Sequence, residues 1–109
     1  MFAILKVKDK EYKLRMSSKT SVECEKSAGK AIIELAIDAS IESQVILLHY
    51  LLKDMNNGFD REKVYQLRDE LIENGMCHED IAMILAEGLA ESGFIKKEAL
   101  KIVQEQDEK

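Results

Sequence analysis

This chain contains no proline and no tryptophan, and only 6% of its residues are aromatic. A Pro-rich linker is therefore excluded, and the core has to be built from Ile, Leu, Val, Ala and Met. Cysteine is nearly as scarce. Cys24 and Cys77 are too few for a disulfide framework, and they fit a reducing compartment where Cys serves as a small apolar residue. No apolar run approaches the roughly 18 residues needed to span a bilayer. The first residues do not read as a signal peptide, because Lys6 and Lys8 interrupt the apolar stretch and no small-residue cleavage site follows. These absences lead to the expectation of a cytoplasmic protein.

What is present suits one domain. The 109 residues are 46% apolar and 34% charged, ordinary for a folded protein with a modest core. The net charge of −5 is unevenly spread. Up to Lys19, six lysines and arginines face only Asp9 and Glu11, whereas residues 60–95 hold nine acids against Arg61, Lys63 and Arg68. Such an acidic body repels phosphates and makes a poor polyanion binder.

The character of the chain changes near residue 20. Residues 2–7 and 11–16 alternate as strands, with Ala3, Leu5 and Val7 on one face and Tyr12, Leu14 and Met16 on another. Lys8-Asp9-Lys10 joins them as a short polar turn, which predicts a hairpin of open turn type. Two strands alone are marginal in water, so their apolar face must pack on helices or on another chain.

Helices follow. Thr20-Ser21-Val22-Glu23 has the form of a capping box, opening a short helix that breaks near Gly29. A second apolar run, 31–37, ends around Asp38 to Ser40. Ser40 then caps the most apolar helix, with Ile41, Val45, Leu48, Leu52 and Met55 inward at steps of three and four, widened by Ile46, Leu47 and Leu51. Asn56-Asn57-Gly58 ends it. Asp60 caps the next helix, with Val64, Leu67, Leu71 and Ile72 inward and Asn74-Gly75 as the stop. A last clear helix covers about 79–92, with Ile81, Ala82, Ile84, Leu85 and Leu89 inward and Gly93 as its cap. Ile95, Leu100, Ile102 and Val103 suggest one more short helix, and 104–109 is a polar tail expected to be disordered. The fold class is α+β, an N-terminal two-stranded β-hairpin followed by a bundle of four to five α-helices, in a single domain over 1–103.

Candidate chemistry is sparse. Cys24, His49, Cys77 and His78 are the possible zinc ligands, but only the last two are close, and they are adjacent rather than at a C-x2-C or H-x3-H spacing. Cys77-His78 offers a nucleophile and a base whose side chains diverge at a helix start, and no nucleophile elbow or Gly-rich phosphate loop is present. Asp69-Glu70 and Glu79-Asp80 sit where solvated faces and first-turn acids belong. Residues 64–89 could form a helix-turn-helix, yet the second helix has no Arg or Lys for phosphates or bases. No catalytic residue, cofactor or metal is expected, and neither nucleic acid nor membrane as a partner.

One family shares this order of parts. The hairpin strand Glu11-Tyr12-Lys13-Leu14-Arg15, the helix with a glycine break, the apolar helix 41–55, the helix 61–73 and the segment Glu91-Ser92-Gly93-Phe94 with lysines after it resemble the tail assembly chaperones of long-tailed phages and prophages of Gram-positive bacteria. The likeness covers roughly residues 1–98, and the region 17–27 departs from it in having Cys24 and many serines. The resemblance implies a non-enzymatic protein that binds and solubilises the tape measure protein while tail tube subunits polymerise around it. It implies self-association as a homo-oligomer, and tail tube protein as a further partner through a frameshift-extended form. It also implies residence in the host cytoplasm and absence from the mature virion. The rivals are a small helix-turn-helix DNA-binding regulator and an adaptor with another client. On the chaperone reading, the expected client surface is Met83, Leu89, Phe94 and Ile95, and the expected self-association surface is the hairpin face with Tyr12 and Leu14.

Overall fold

A computed structural model describes residues 1–98. The expected helix around Leu100 to Val103 and the tail 104–109 lie outside the described residues. A hairpin of β1 (Ala3–Val7) and β2 (Lys10–Leu14) is followed by five helices: α1 (Ser18–Ala28), α2 (Ile32–Asp38), α3 (Ile41–Lys53), α4 (Arg61–Glu73) and α5 (His78–Glu91). The α+β class, with a hairpin and then a helical bundle, is as the pattern predicts.

The strands pair antiparallel, with Leu5 opposite Tyr12 and Val7 opposite Lys10. Alternation puts Ala3, Leu5, Val7 and Leu14 on one buried face, which packs on α3 and α5. Lys8 has φ 56°, and a positive angle at the first of two central turn residues is the type II′ pattern. The second strand ends at Leu14 rather than Met16 because the next two N–H groups leave the ladder. Arg15 N donates to Leu51 O at 3.0 Å, and Met16 N donates to Ser92 Oγ at 2.8 Å.

The first helix begins three residues earlier than a cap at Thr20 would place it. Ser17 is the N-cap, and its Oγ accepts from Thr20 N at 3.2 Å. Thr20 is taken by a tertiary partner: its hydroxyl donates to Asp54 Oδ1 at 2.6 Å, while Ser17 N donates to Asp54 Oδ2 at 2.9 Å. Glu23 does not reach back as a capping box requires, and pairs with Lys53 at 3.1 Å. Burial would raise the Asp54 pKa, but the Thr20 and Ser17 hydrogen bonds outweigh it and hold the carboxyl below 3.8. Asp54 thus ties the start of α1 to the end of α3. The break at Gly29 is as expected, with φ 70° and its N–H donating to Glu25 O.

The third helix is the hub. Val45, Ile46, Leu47, Leu48, Leu51 and Leu52 are all buried, and α1, α2, α4, α5 and β2 pack around them. Ser40 caps it by accepting from Ser43 N, and Asp60 caps α4 by accepting from Lys63 N, both as expected. The ends of the apolar stripe are corrected. Ile41 is 59% exposed because it is the first residue of the helix, Met55 is 40% exposed because it lies past the cap Asp54, and on α4 Ile72 is exposed, one step of about 100° beyond the buried Leu71. The cap of α5 is Ser92, with Gly93 following at φ 89°.

Gly88 sets how closely α5 approaches. A Cβ there would lie 3.1 Å from Leu51 Cδ1 and 3.2 Å from Leu14 Cβ. Gly88→Val therefore forces α5 off α3 and β2, and is expected to lower stability by roughly 1–3 kcal/mol in urea denaturation. A second test concerns His49, whose Nδ1 accepts from Arg61 Nε at 3.1 Å. Burial, then the Arg61 charge, lowers its pKa below 6.5. The unfolded chain takes up this proton at higher pH than the folded one, so stability holds above pH 6.5 and falls as pH drops below it. His49→Gln is expected to flatten the fall in Tm between about pH 7 and pH 5 relative to the unsubstituted protein.

Candidate functional site

The candidate site is an apolar groove. Two helices, α2 and α5, both rest on α3, and α2 otherwise leans on α1 while α5 leans on the hairpin. A cavity of about 210 Å³ is left between them. Leu35, Leu47, Leu85 and Leu89 form its buried floor. Ala36 and Ile37 make one wall, Ala82 and Ala86 the other, and Ile95 sits on it from the chain after α5. Ala82 and Ala86 are one turn apart and share a helix face, so that wall is low. Ile33 and Ile37, also one turn apart, are 42% and 77% exposed on α2. They carry the apolar surface out past the groove.

Among the described residues Gln44 is the only polar one in the lining, and both the oxygen and the nitrogen of its amide are engaged. Its Oε1 accepts from Arg68 Nε at 3.1 Å and Nη2 at 3.0 Å, and its Nε2 donates to His78 O at 2.9 Å. Arg68 is 8% exposed. It reaches on to His78 Nδ1 at 3.0 Å, and His78 Nε2 lies 2.7 Å from Ala39 O. Arginine can only donate, so Nδ1 accepts and Nε2–H donates to Ala39. This chain of bonds ties the start of α5 to the end of α2, where Ala39 has a left-handed φ of 56°. It clasps one end of the groove.

The expected client residues are placed unequally. Leu89 and Ile95 line the groove, but Leu89 is only 1% exposed. It is floor rather than a contact surface, because Gly88 brings α5 down onto α3. Phe94 is half-buried against the core, and its N–H donates to Leu89 O at 2.9 Å. Met83 is half-buried on α5 and does not line the groove. On the hairpin, Leu14 has no exposure and belongs to the core rather than to a contact surface, while Tyr12 is half-buried and packs edge-on against Phe59 with ring centres 5.4 Å apart. The outer edge of β2 is also occupied at Lys13, where Asn56 accepts from the N–H and donates to the carbonyl.

The candidate ligands and nucleophiles are scattered. Cys24 is buried, and burial followed by the Glu25 charge pushes its thiol up to about 11, which makes it a poor nucleophile. Cys77 is exposed at the cap of α5, where its N–H donates to Asp80 Oδ2 at 3.0 Å. The His78 ring turns away to Arg68 and Ala39. Among the described residues no group of three or more His, Cys, Asp or Glu is placed to hold a metal ion, and no helix is long and apolar enough to cross a membrane.

Sequence reasoning missed Ala36, Ile37, Gln44, Ala82 and Ala86 as site residues. One signal was available. Residues 31–37 are apolar on more faces than a seven-residue helix needs to bury.

The clasp makes a stability prediction. Gln44→Leu strips the buried Arg68 of two acceptor bonds and is expected to cost about 3 kcal/mol in denaturant unfolding. Pairing it with Arg68→Met should recover part of the loss, since the buried guanidinium is then gone while His78 still lacks the partners it had at its carbonyl and Nδ1.

Scans against protein-family models, curated proteins and solved structures find no match to this chain.

Proposed function

We propose that this chain is a non-enzymatic tail assembly chaperone, one that binds and solubilises a tape measure protein while the tail tube forms. The observation that carries the reading is the open apolar groove between α2 and α5, bordered by exposed Ile33 and Ile37. A chaperone for an elongated helical client needs such a surface, together with enough charge to keep the complex dissolved. The net charge of −5 supplies the second need. The order of parts over residues 1–98, similar to that of the chaperone family, supports the same reading. On this proposal the protein works in the host cytoplasm, several copies coat one client, and a longer form contacts tail tube protein. Glu79 and Asp80 in the first turn of α5 favour a protein client over DNA, because that turn would meet phosphates in a helix-turn-helix.

Co-expression with the tape measure protein of the same phage or prophage tests the proposal. Pull-down and light-scattering mass should report a soluble complex with several copies per client. Ile37→Asn, at an exposed position, should keep the fold by circular dichroism and lose the complex. A client that stays insoluble beside a folded protein that does not bind it would sink the reading.

A further inference from the structure

We infer that His78 is a pH-sensitive pin, whose protonation releases Ala39 and lets the last turn of α2 fray.

The neutral ring is required by its partners. Arg68 on α4 is 8% exposed, and among the described residues it has no carboxylate partner. Its acceptors are both neutral, Gln44 Oε1 and His78 Nδ1. A guanidinium keeps its charge at any pH the fold survives, so the 3.0 Å contact exists only while Nδ1 carries no proton. The ring's single proton is then on Nε2, which donates it to Ala39 O at 2.7 Å. That bond holds a residue under strain. Ala39 is not glycine, yet it caps α2 with a left-handed φ of 56°.

A second proton removes the arrangement. Nδ1 becomes a donor facing a donor, and two positive groups stand 3.0 Å apart. His78 is also the first residue of α5, and the start of a helix disfavours a cation. The acids around the ring are engaged or turned away. Asp38, next to Ala39 in the chain, accepts from the Ser40 and Ser43 hydroxyls at 2.7 Å and lies 3.9 Å from Lys30. On α5, Asp80 accepts from Cys77 N, and Glu79 is exposed. From α3 the neutral Gln44 meets His78, and Glu42 lies two steps of about 100° round that helix from Gln44. The charged ring therefore turns to water and leaves Ala39 O. The start of α2 stays tied, because Ile32 N donates to Glu25 Oε2 at 2.9 Å. Loosening is confined to the other end, where Ile37 forms part of the groove wall.

NMR of His49→Gln, which leaves His78 as the single histidine, tests this between about pH 7.5 and 5.5. Hydrogen bonds hold the Asp38 and Asp80 carboxyls below 3.8, so both stay charged over that range. At the upper pH the ring nitrogen shifts should report the Nε2–H tautomer, with Overhauser contacts from the ring to Ala39. As pH falls the ring should protonate and those contacts should vanish. Amide protection factors at Ile37 and Asp38 should drop about tenfold, the factor expected when opening takes up one proton on a solvated imidazole. Protection at Leu48 to Leu52 should not follow. His78→Gln in the same background is neutral at every pH and should show no such drop. An Nδ1–H tautomer at the upper pH, contacts that persist in the protonated ring, or a neutral ring with unchanged protection overturns the inference, and none of these readings needs a variant at position 78. An equal drop in His78→Gln also overturns it, as does an equal drop in α3, which would place the effect in global unfolding.

Discussion

Leu51 and Leu52 have no exposure and Leu48 has 1%, and a helix buried this deeply has to be covered on every side by the rest of a short chain. That requirement on α3 organises the molecule. Each of the other four helices and the hairpin packs on it, α1 through Thr20, Ser21 and Cys24 and the others through apolar faces, and each is too small to be stable without doing so. With no tryptophan and few aromatics, coverage has to come from many aliphatic contacts, and these need close approach. Gly88 is where approach is closest, since it lets α5 lie against Leu51 and Leu14 together. The groove is a consequence of the same geometry. Two helices of unequal length, α2 and α5, cover adjacent sectors of α3 and leave a seam between them.

Polar groups near the hub are handled by dedicated partners. Among the described residues, no buried side-chain nitrogen or oxygen lacks a hydrogen bond. Asp54 serves the start of α1, and Gln44 serves Arg68 and His78. The second arrangement is the more consequential. A buried guanidinium with an amide rather than a carboxylate as its main acceptor gains less from Coulomb attraction, yet it places three hydrogen-bonded groups in fixed directions. It also holds Ala39 against His78, which joins the end of α2 to the start of α5 at one end of the seam.

Much of the fold could be read locally. The period of two in β1, the caps Ser40 and Asp60, and the stops at Gly29 and Asn74-Gly75 each depend on residues within a few positions of one another, and each formed as the pattern predicts. The start of α1 could not be settled that way. Ser17 and Thr20 are both good caps, and the choice was made by Asp54, whose bond to Thr20 spans 34 positions. The site was legible only in part. Periodicity marked Leu89 as inward and Ile95 as apolar, but it cannot say whether an apolar face ends up covered. That depended on where α2 came to rest against α3. The Gln44–Arg68 pairing, 24 positions apart, left no local trace.

The size of the groove bears on how such a chaperone could work. Two or three ridge side chains entering it contribute about 1.5–3 kcal/mol each when fully buried. Association itself costs about 4 kcal/mol or more in lost freedom. One copy on one stretch of helix is then held weakly. A long client with a repeated ridge presents many such stretches, and copies bound side by side protect it collectively while each exchanges alone. On the proposed reading, weak and separately reversible contacts are what the task requires. A coat that must yield to a polymerising tube has to leave one copy at a time, and a deeper groove with a tighter grip would hold the client soluble and stall assembly.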